Sequence, residues 1–600
     1  MNYSFDSIAQ SQSPIMKYTI TFLFLFTSFY NILTAQFIGS VSEDYQYSVQ
    51  AIPNPPANSR DNNATEQVEG YPKAFLAHAN FKNFRNVTLE DIDGDGISDI
   101  IFAANRSLYA YSNGTLLWEK PLIGIGLYPP SIADLDNDGQ VEIVQVTGGQ
   151  NEDGSVYVLD IAGNDIEGWP MTFDNSWIIT APTLSDIDKD GIKEVIFLER
   201  ISSTLGNIHI QRMNGESFSD DWPVPIPRSP AVTPSIGDVD NDGEMDLLIC
   251  SSRTMYLSDL KGETKPGWPV EDPDTWFSFQ SPILVDLNQD GTLEIVGATH
   301  GNLPEYYIRQ FDGTPYKNWP FIVPEGSWSF CSPTVIEQDG AYEIFMGRPV
   351  ANDSANKTML YSWNDEGRLN YPIENFGGLE AGIISIANID NEPDFEVIFG
   401  SNMTDNNGNG FIHAFKMDGI RELDGFPITA KGWTLSNGVA IDDVNGDGKM
   451  NLVALSYSLN FGATNDSIFL NVFPIDQAYQ PEKVLWSTFK GDNARSGSLQ
   501  ANSSLTSALS PTLSNVTVDV QPNPILQNGT VSIELNQTER LKGMLFHAVT
   551  GAYLHTLFEE DLTKGVHIKR LPKLLNGSYL LTITNEQKQL VSKKFVVIDN

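Results

Sequence analysis

The sequence predicts an all-β chain: a β-propeller counted as eight repeats, with seven or eight blades, followed by a small Ig-like β-sandwich. Three observations carry this. An acidic loop that opens into an apolar strand recurs about every 50 residues. An aromatic residue, usually followed by proline, recurs between the loops. From residue 515 onward the composition changes to alternating short strands in which lysines gather. Units of about 50 residues, each with room for roughly four short strands, fit propeller blades.

The chain begins with a segment to be set apart from the fold. Met16 and Lys17 precede an apolar run from Ile20 to Leu33, and Ala35 offers a small residue for cleavage before Gln36. This reads as a secretory signal peptide spanning residues 1–35, with Met16 a candidate true start. The run is shorter than the ~20 residues a spanning helix needs, and no later segment is apolar enough to cross a membrane, so the mature chain is expected to have no transmembrane segment. Residues 36–70 read as a polar N-terminal segment.

The first acidic loop is "DIDGDGISDIIFAA". Asp91, Asp93 and Asp95 alternate, Gly96 permits a sharp turn, and Asp99 follows at the ninth position. The same one-three-five-nine spacing returns at Asp134, Asp136, Asp138 and Glu142, at Asp186, Asp188, Asp190 and Glu194, and at Asp238, Asp240, Asp242 and Asp246. It returns again at Asp286, Asn288, Asp290 and Glu294, and with two asparagines at Asp443, Asn445, Asp447 and Asn451. Two degenerate copies lie between these, one around Asp339, Gly340 and Glu343, the other around Asp390 and Glu396, with Pro393 in the glycine's place.

Hard oxygen donors without His or Cys suit Ca²⁺, not Zn²⁺. A solvated acidic turn needs no metal, because Asp, Asn and Gly favour turns anyway. Recurrence in one register favours the metal, since three or four carboxylates in a single turn repel when unpaired. The expected cofactor is therefore structural Ca²⁺ at several sites, with the two degenerate loops metal-free or poorly occupied. A calcium sensor's loop carries an acid at its twelfth position. Here that position is Phe102, inside a strand, so the loop is expected to act as a rivet and not as a switch.

The aromatic elements are Tyr71-Pro72, Trp169-Pro170, Trp222-Pro223, Trp268-Pro269, Trp319-Pro320, Tyr371-Pro372 and Phe426-Pro427, with Trp118 a looser copy. Each precedes the next loop by 16 to 20 residues, whereas the distance from a loop to the next aromatic runs from 27 to 43. A fixed half suggests packed strands, and a variable half suggests exposed loops where insertions cost little and binding evolves. The aromatics are expected to pack blades, not to stack on sugars. Trp486, in "KVLWSTFKGDNARSGSL", looks like a ninth such element without a loop behind it. The repeat region is expected to span residues 71–499, its ring closed by one blade shared between the two chain ends.

The "D-x-D-x-D-G-x-x-[DE]" loop entering an apolar strand resembles the FG-GAP/VCBS repeats, as in the integrin α-subunit propeller. The resemblance implies a calcium-loop propeller of a family that includes adhesion modules, lectins and some polysaccharide lyases. The family's Phe-Gly and Gly-Ala-Pro landmarks are largely replaced here by Trp-Pro elements and by pairs such as Ala181-Pro182 and Ser281-Pro282.

Residues 500–514 read as a linker. Residues 515–600 read as a small sandwich. Within them "VDVQPNP" at Val518, "LNGSYLLTI" at Leu575 and "KKFVV" at Lys593 resemble the type A C-terminal sorting domain of the type IX secretion system. That resemblance implies the type IX machinery as partner, and export to the medium or to the outer-membrane surface of a Gram-negative bacterium.

A net charge of −41 repels nucleic acid and anionic lipid. Cys250 and Cys331 lie in apolar surroundings and are expected as buried thiols. The seven histidines (His78, His209, His300, His413, His547, His555 and His567) form no metal or triad motif. No catalytic residue and no cofactor site other than calcium is nominated. The expected function is binding of a glycan or of a surface or matrix protein, in an adhesion-type module. The alternative is a polysaccharide-degrading, lyase-like enzyme. Trp276, Trp328, Trp363 and the stretch at Gly400 are the aromatic and loop positions that variable segments offer to a ligand.

Overall fold

The computed structural model describes residues 36–41 and 47–52, most of 65–499, and most of 516–597; within the last two spans the longest stretches left out are 323–330, 349–357, 375–381, 459–465 and 522–528. The expected signal peptide (1–35), the linker (500–514), Trp328, Asp339 and the Pro-Asn-Pro of 522–524 lie outside the described residues.

Runs such as "DIIFAA" and "EVIFLER" are too short for helices and rich in residues that fill a pleated surface, so they form strands. Eight antiparallel sheets built on four strands each result among the described residues, the third and the seventh carrying added strands. In the first, strands Thr88–Glu90, Asp99–Ala104, Ser107–Ser112 and Thr115–Pro121 pair in chain order. Each acidic loop joins a short first strand to a second strand that is largely buried, and fully so in Asp99–Ala104 and Glu142–Thr147. This is the β-propeller pattern expected from the repeat.

The eighth sheet shows how the ring closes. Ala440–Asp442, Lys449–Tyr457 and Ser467–Ala478 supply three of its strands, and Lys73–Leu76, from the start of the repeat region, supplies the fourth. Lys73 pairs with Leu470 and Leu76 with Ser467. One blade is thus shared between the two ends of the repeat region.

Two polar devices recur between blades. The first strand of one blade donates a hydroxyl to a backbone carbonyl of the next: Thr88 to Pro130 (2.6 Å), Ser131 to Pro182 (2.6 Å), Thr183 to Pro234 (2.7 Å) and Ser235 to Pro282 (2.7 Å). The Ala-Pro and Ser-Pro pairs of the sequence are acceptors in this seam. The second device is the aromatic element. The indole N–H groups of Trp118, Trp169, Trp222 and Trp268 donate to Ile161, Met213, Leu260 and Phe311 carbonyls at 2.7–2.9 Å, each on the following blade. Trp169, Trp222, Trp268 and Trp319 are all buried, so these residues pack blades, as expected.

Trp486 differs from the other aromatics. Val484–Trp486 pairs beside the first strand of the seventh blade, with Ile386 opposite Trp486. The chain then crosses the first strands of other blades in turn. Ile132, Leu184, Ile236 and Leu284 donate backbone N–H groups to Asn493, Ala494, Ser496 and Gly497. Arg495, fully buried, donates to the Phe489 and Asp492 carbonyls (2.9 Å each) and to Thr88 Oγ1 (2.7 Å). Residues 484–498 therefore tie the inner strands of the ring together.

Residues 36–41 and 47–52, read from sequence as a polar segment, form a hairpin whose first strand pairs with Met403 and Thr404. The terminal segment is a two-sheet sandwich. Val516–Gln521, Thr530–Leu535 and Gly565–Arg570 form one sheet; Tyr553–Leu562, Glu539–His547, Gly577–Asn585 and Leu590–Val597 form the other. Val520, Val531, Ile533, Leu541, Leu545, Leu581 and Ile583 fill the core between them. Cys250 and Cys331 are buried thiols in separate cores.

Candidate metal centres

Each strong loop is wound around its first aspartate. In the first loop Asp91 Oδ1 accepts the Gly94 N–H (2.8 Å) and the Asp95 N–H (3.1 Å), while Oδ2 accepts the Gly96 N–H (2.9 Å). Gly96 has a φ of +86°, and its counterparts Gly139, Gly191, Gly243, Gly291 and Gly448 lie between +77° and +95°. A side chain at that position would be strained, which explains the glycine.

The ninth-position acid starts the second strand and points back into the loop. Asp99 Oδ2 accepts the Ile92 N–H at 3.1 Å, and Glu142, Glu194, Asp246 and Glu294 accept the matching N–H of Leu135, Ile187, Val239 and Leu287. Asn451 does the same for Val444 at 3.0 Å. One oxygen of each acid is thereby fixed by the backbone, leaving the other to face the loop.

Four loops bring carboxylate oxygens of positions one, three and nine within 4.8 Å of one another: Asp91, Asp93 and Asp99; Asp134, Asp136 and Glu142; Asp186, Asp188 and Glu194; Asp238, Asp240 and Asp246. The position-five acids also bind the backbone, each through one oxygen. Asp95, Asp138, Asp190, Asp242, Asp290 and Asp447 each accept the N–H two residues on at 2.8–2.9 Å, and so hold the turn.

The remaining two of the six strong loops carry amides. In the fifth, Asp286 holds the backbone as Asp91 does, and Asn288 Nδ2 donates to Asp290 (3.0 Å) and Glu294 (3.3 Å). In the eighth, Asp443 accepts the Gly446 and Gly448 N–H groups at 2.8 Å, and Asn445 Nδ2 donates to Asp447 at 3.2 Å.

The donor set fits a hard cation. Asp99 is fully buried, and its Oδ1 makes no hydrogen bond. An ionised carboxylate oxygen left so is costly unless a cation meets it. Burial pushes the Asp99 and Asp246 carboxyls up to about 6, and Glu142, Glu194 and Glu294 up to about 7. Bound Ca²⁺ would invert that balance and hold these groups ionised. Asp91, Asp93 and Asp99, with their counterparts in the next loops, are the residues that would hold it.

The degenerate loops diverge. In the sixth loop the first and second strands stay paired to Gln338 and Ala341. Its ninth-position acid, Glu343, accepts hydroxyls from Ser362 and from Tyr371 (2.7 Å). Around Asp390 a lysine enters the loop, as described below.

Of the positions offered by variable segments, Trp363 is buried against Trp319, Phe321 and Tyr361 and belongs to the core. Gly400 lies in a buried strand, Glu396–Thr404. Trp276 is partly exposed, with the Arg253 guanidinium 4.9 Å from its ring centroid and His300 stacked at 6.1 Å. Arg253 and His300 were not singled out from sequence, because only the fold brings them to Trp276: His300 through the paired strands 275–276 and 300–301, Arg253 from the turn between Asp246–Ser251 and Thr254–Ser258.

A family model described as an FG-GAP-like repeat matches residues 91–145 and 186–249, a span that takes in the first four acidic loops. The fold and these loops define a β-propeller with FG-GAP-like repeats. No curated protein matches the chain. Among solved structures it is similar to the V. cholerae biofilm matrix protein Bap1, at 14% identity over 70% of this chain and 91% of that one, with a TM-score of 0.43. It is also similar to the quinohemoprotein alcohol dehydrogenase from Comamonas testosteroni (11% identity, 68% of this chain, 78% of that one, TM-score 0.38). A third is BBS1N, solved in complex with ARL6DN (10% identity, 70% of this chain, 100% of that one, TM-score 0.34). Likeness at this level says nothing of ligand or activity.

Proposed function

We propose that this chain is an extracellular, calcium-stabilised binding module whose ligand is a glycan or a surface or matrix protein. The observation that carries this is a division of labour between the two ends of the ring. At one end, the strong acidic loops keep a common length and hydrogen-bonding pattern. At the other, the connections between second and third strands run from two residues (105–106) to ten (348–357). Fixed loops hold a scaffold and variable loops read a ligand. Trp276 with Arg253 supplies an aromatic face and a cation at the variable end, a combination suited to a sugar ring or an acidic group. The net charge of −41 disfavours nucleic acid as the ligand.

Residues 515–600 serve in this reading as the sorting domain that the type IX machinery recognises, with the product released or displayed at the outer-membrane surface. Gly577 and Tyr579 begin a central strand of that sandwich, Tyr579 is buried, and Lys593 pairs with Leu581. Among the described residues no helix is long and apolar enough to cross a membrane.

The test is retention of the full chain on a panel of glycans and matrix proteins, with products analysed in parallel. Retention that is lost in Trp276→Ala and Arg253→Ala supports the binding module. Release of unsaturated sugars would mark the chain as a lyase instead. For export, truncation after Ser514 in the producing cell should leave the protein in the periplasm, and normal export would exclude the sorting role.

A further inference from the structure

We infer that Lys416 is the resident cation of the seventh acidic loop, replacing the metal that the equivalent loops are built to hold. The inference rests on the calcium reading of the other loops. Lys416 lies on the third strand of its blade, directly opposite the ninth-position acid Glu396. Its ammonium is 2.6 Å from Glu396, 2.7 Å from Asp390 and 3.4 Å from Glu392, the acids at positions nine, three and five. The Lys416 side chain is buried, and Glu396 is fully so. Glu396 still accepts the Ile389 N–H at 2.8 Å, so the backbone frame of the loop is kept while its charge is met from within the chain.

The rest of this loop has lost what a metal requires. Position one is Asn388, whose amide donates to the Glu392 carbonyl (2.8 Å) and whose oxygen accepts from Gln477 (3.2 Å). Position six is Pro393, which offers no N–H to wrap position one and cannot take the positive φ that glycine takes elsewhere. An ammonium makes fewer demands than Ca²⁺, which needs six to eight oxygens. Three carboxylates and three N–H donors match without a cage.

The fourth loop shows the same device at an earlier stage. It keeps acids at positions one, three, five and nine and keeps Gly243, yet Lys265 from the turn between its third and fourth strands lies 2.8–3.0 Å from Asp240, Asp242 and Asp246. There the lysine is a tethered competitor and not a replacement. In the third loop Arg212 stays at 3.6–3.8 Å, and in the first two loops no basic side chain is paired with the three acids among the described residues. Dependence on metal is thus graded around the ring.

Hydrogen exchange on the full chain, in calcium and in EGTA, tests this. In the unmodified protein, residues 384–398 should exchange at the same rate in both, while residues 88–102 and 131–145 exchange roughly tenfold faster in EGTA. Lys416→Met should raise exchange at 384–398 in EGTA by roughly tenfold. In equilibrium dialysis at limiting calcium, Lys265→Met should bind more calcium per chain than the unmodified protein. Loss of protection at 384–398 on chelating the unmodified protein would overturn the inference, as would unchanged exchange in Lys416→Met. Unchanged calcium binding in Lys265→Met would remove the fourth loop from it.

Discussion

Asp99 accepts the Ile92 N–H at 3.1 Å through one carboxylate oxygen and buries the other without a hydrogen bond. This single pairing fastens a loop of acids to the first residue of a buried strand. Burial of the ninth-position acids sets the pH behaviour of the metal-free protein. Burial holds Asp99 at about 6 and Glu142, Glu194 and Glu294 at about 7, above their ordinary values of 3.8 and 4.5. Between those values the folded state binds more protons than the unfolded one, so stability rises as pH falls through that window. In EGTA the melting temperature should therefore rise from about pH 8 to about pH 5, and the added stability from calcium should shrink over the same range as protons compete for the same oxygens. A calcium increment equal at both ends would contradict the assignment.

The indole seam separates two tryptophans that look alike in sequence. Trp169 donates to the Met213 carbonyl at 2.7 Å, whereas Trp319 Nε1 has no hydrogen-bond partner. Phenylalanine at either site removes similar bulk, but only Trp169→Phe leaves a carbonyl unmet. Its cost in urea denaturation should exceed that of Trp319→Phe by about 1 kcal/mol. Equal costs would show that packing alone holds the seam.

Closure of the ring rests on Phe75. Its ring lies 5.0, 4.8 and 5.9 Å from those of Phe102, Tyr109 and Tyr111, so the borrowed strand of the eighth blade packs on the first. Phe75→Ala should destabilise the propeller by about 2 kcal/mol and speed exchange at both residues 467–476 and 99–111. An effect confined to one of these segments would mean that the borrowed strand does not couple the two blades.

The axial segment makes a stronger claim. Arg495→Met takes the guanidinium away from the Phe489 and Asp492 carbonyls, buried among inner strands, and should cost at least about 3 kcal/mol. Deleting residues 483–499 removes bonds to several blades at once and should abolish cooperative unfolding. Unchanged melting after that deletion would sink the idea that this segment ties the ring.

The repeat and its acidic clusters were legible because both are local. The spacing from Asp91 to Asp99 is read within nine residues, and a strand such as "DIIFAA" announces itself by its neighbours. The aromatic elements were legible as packing because their spacing to the next loop is fixed. What sequence could not show was contact at long range. Trp486 copies the aromatic pattern but pairs beside Ile386, because the inner edges of the blades meet there. Lys416 carries no motif at all, and only strand register sets it opposite Glu396. Arg253 and Trp276 likewise meet only through the fold.

The central claim is that the acidic loops are calcium rivets in a preformed ring. Thermal melting of the full chain in calcium and in EGTA near neutral pH, with small-angle scattering on the same samples, tests it most directly. Calcium should raise the melting temperature by at least about 5 °C, as expected when several ions bind only the folded state, and leave the radius of gyration unchanged. Identical melting in both conditions, or a calcium-dependent change in overall shape, would contradict it.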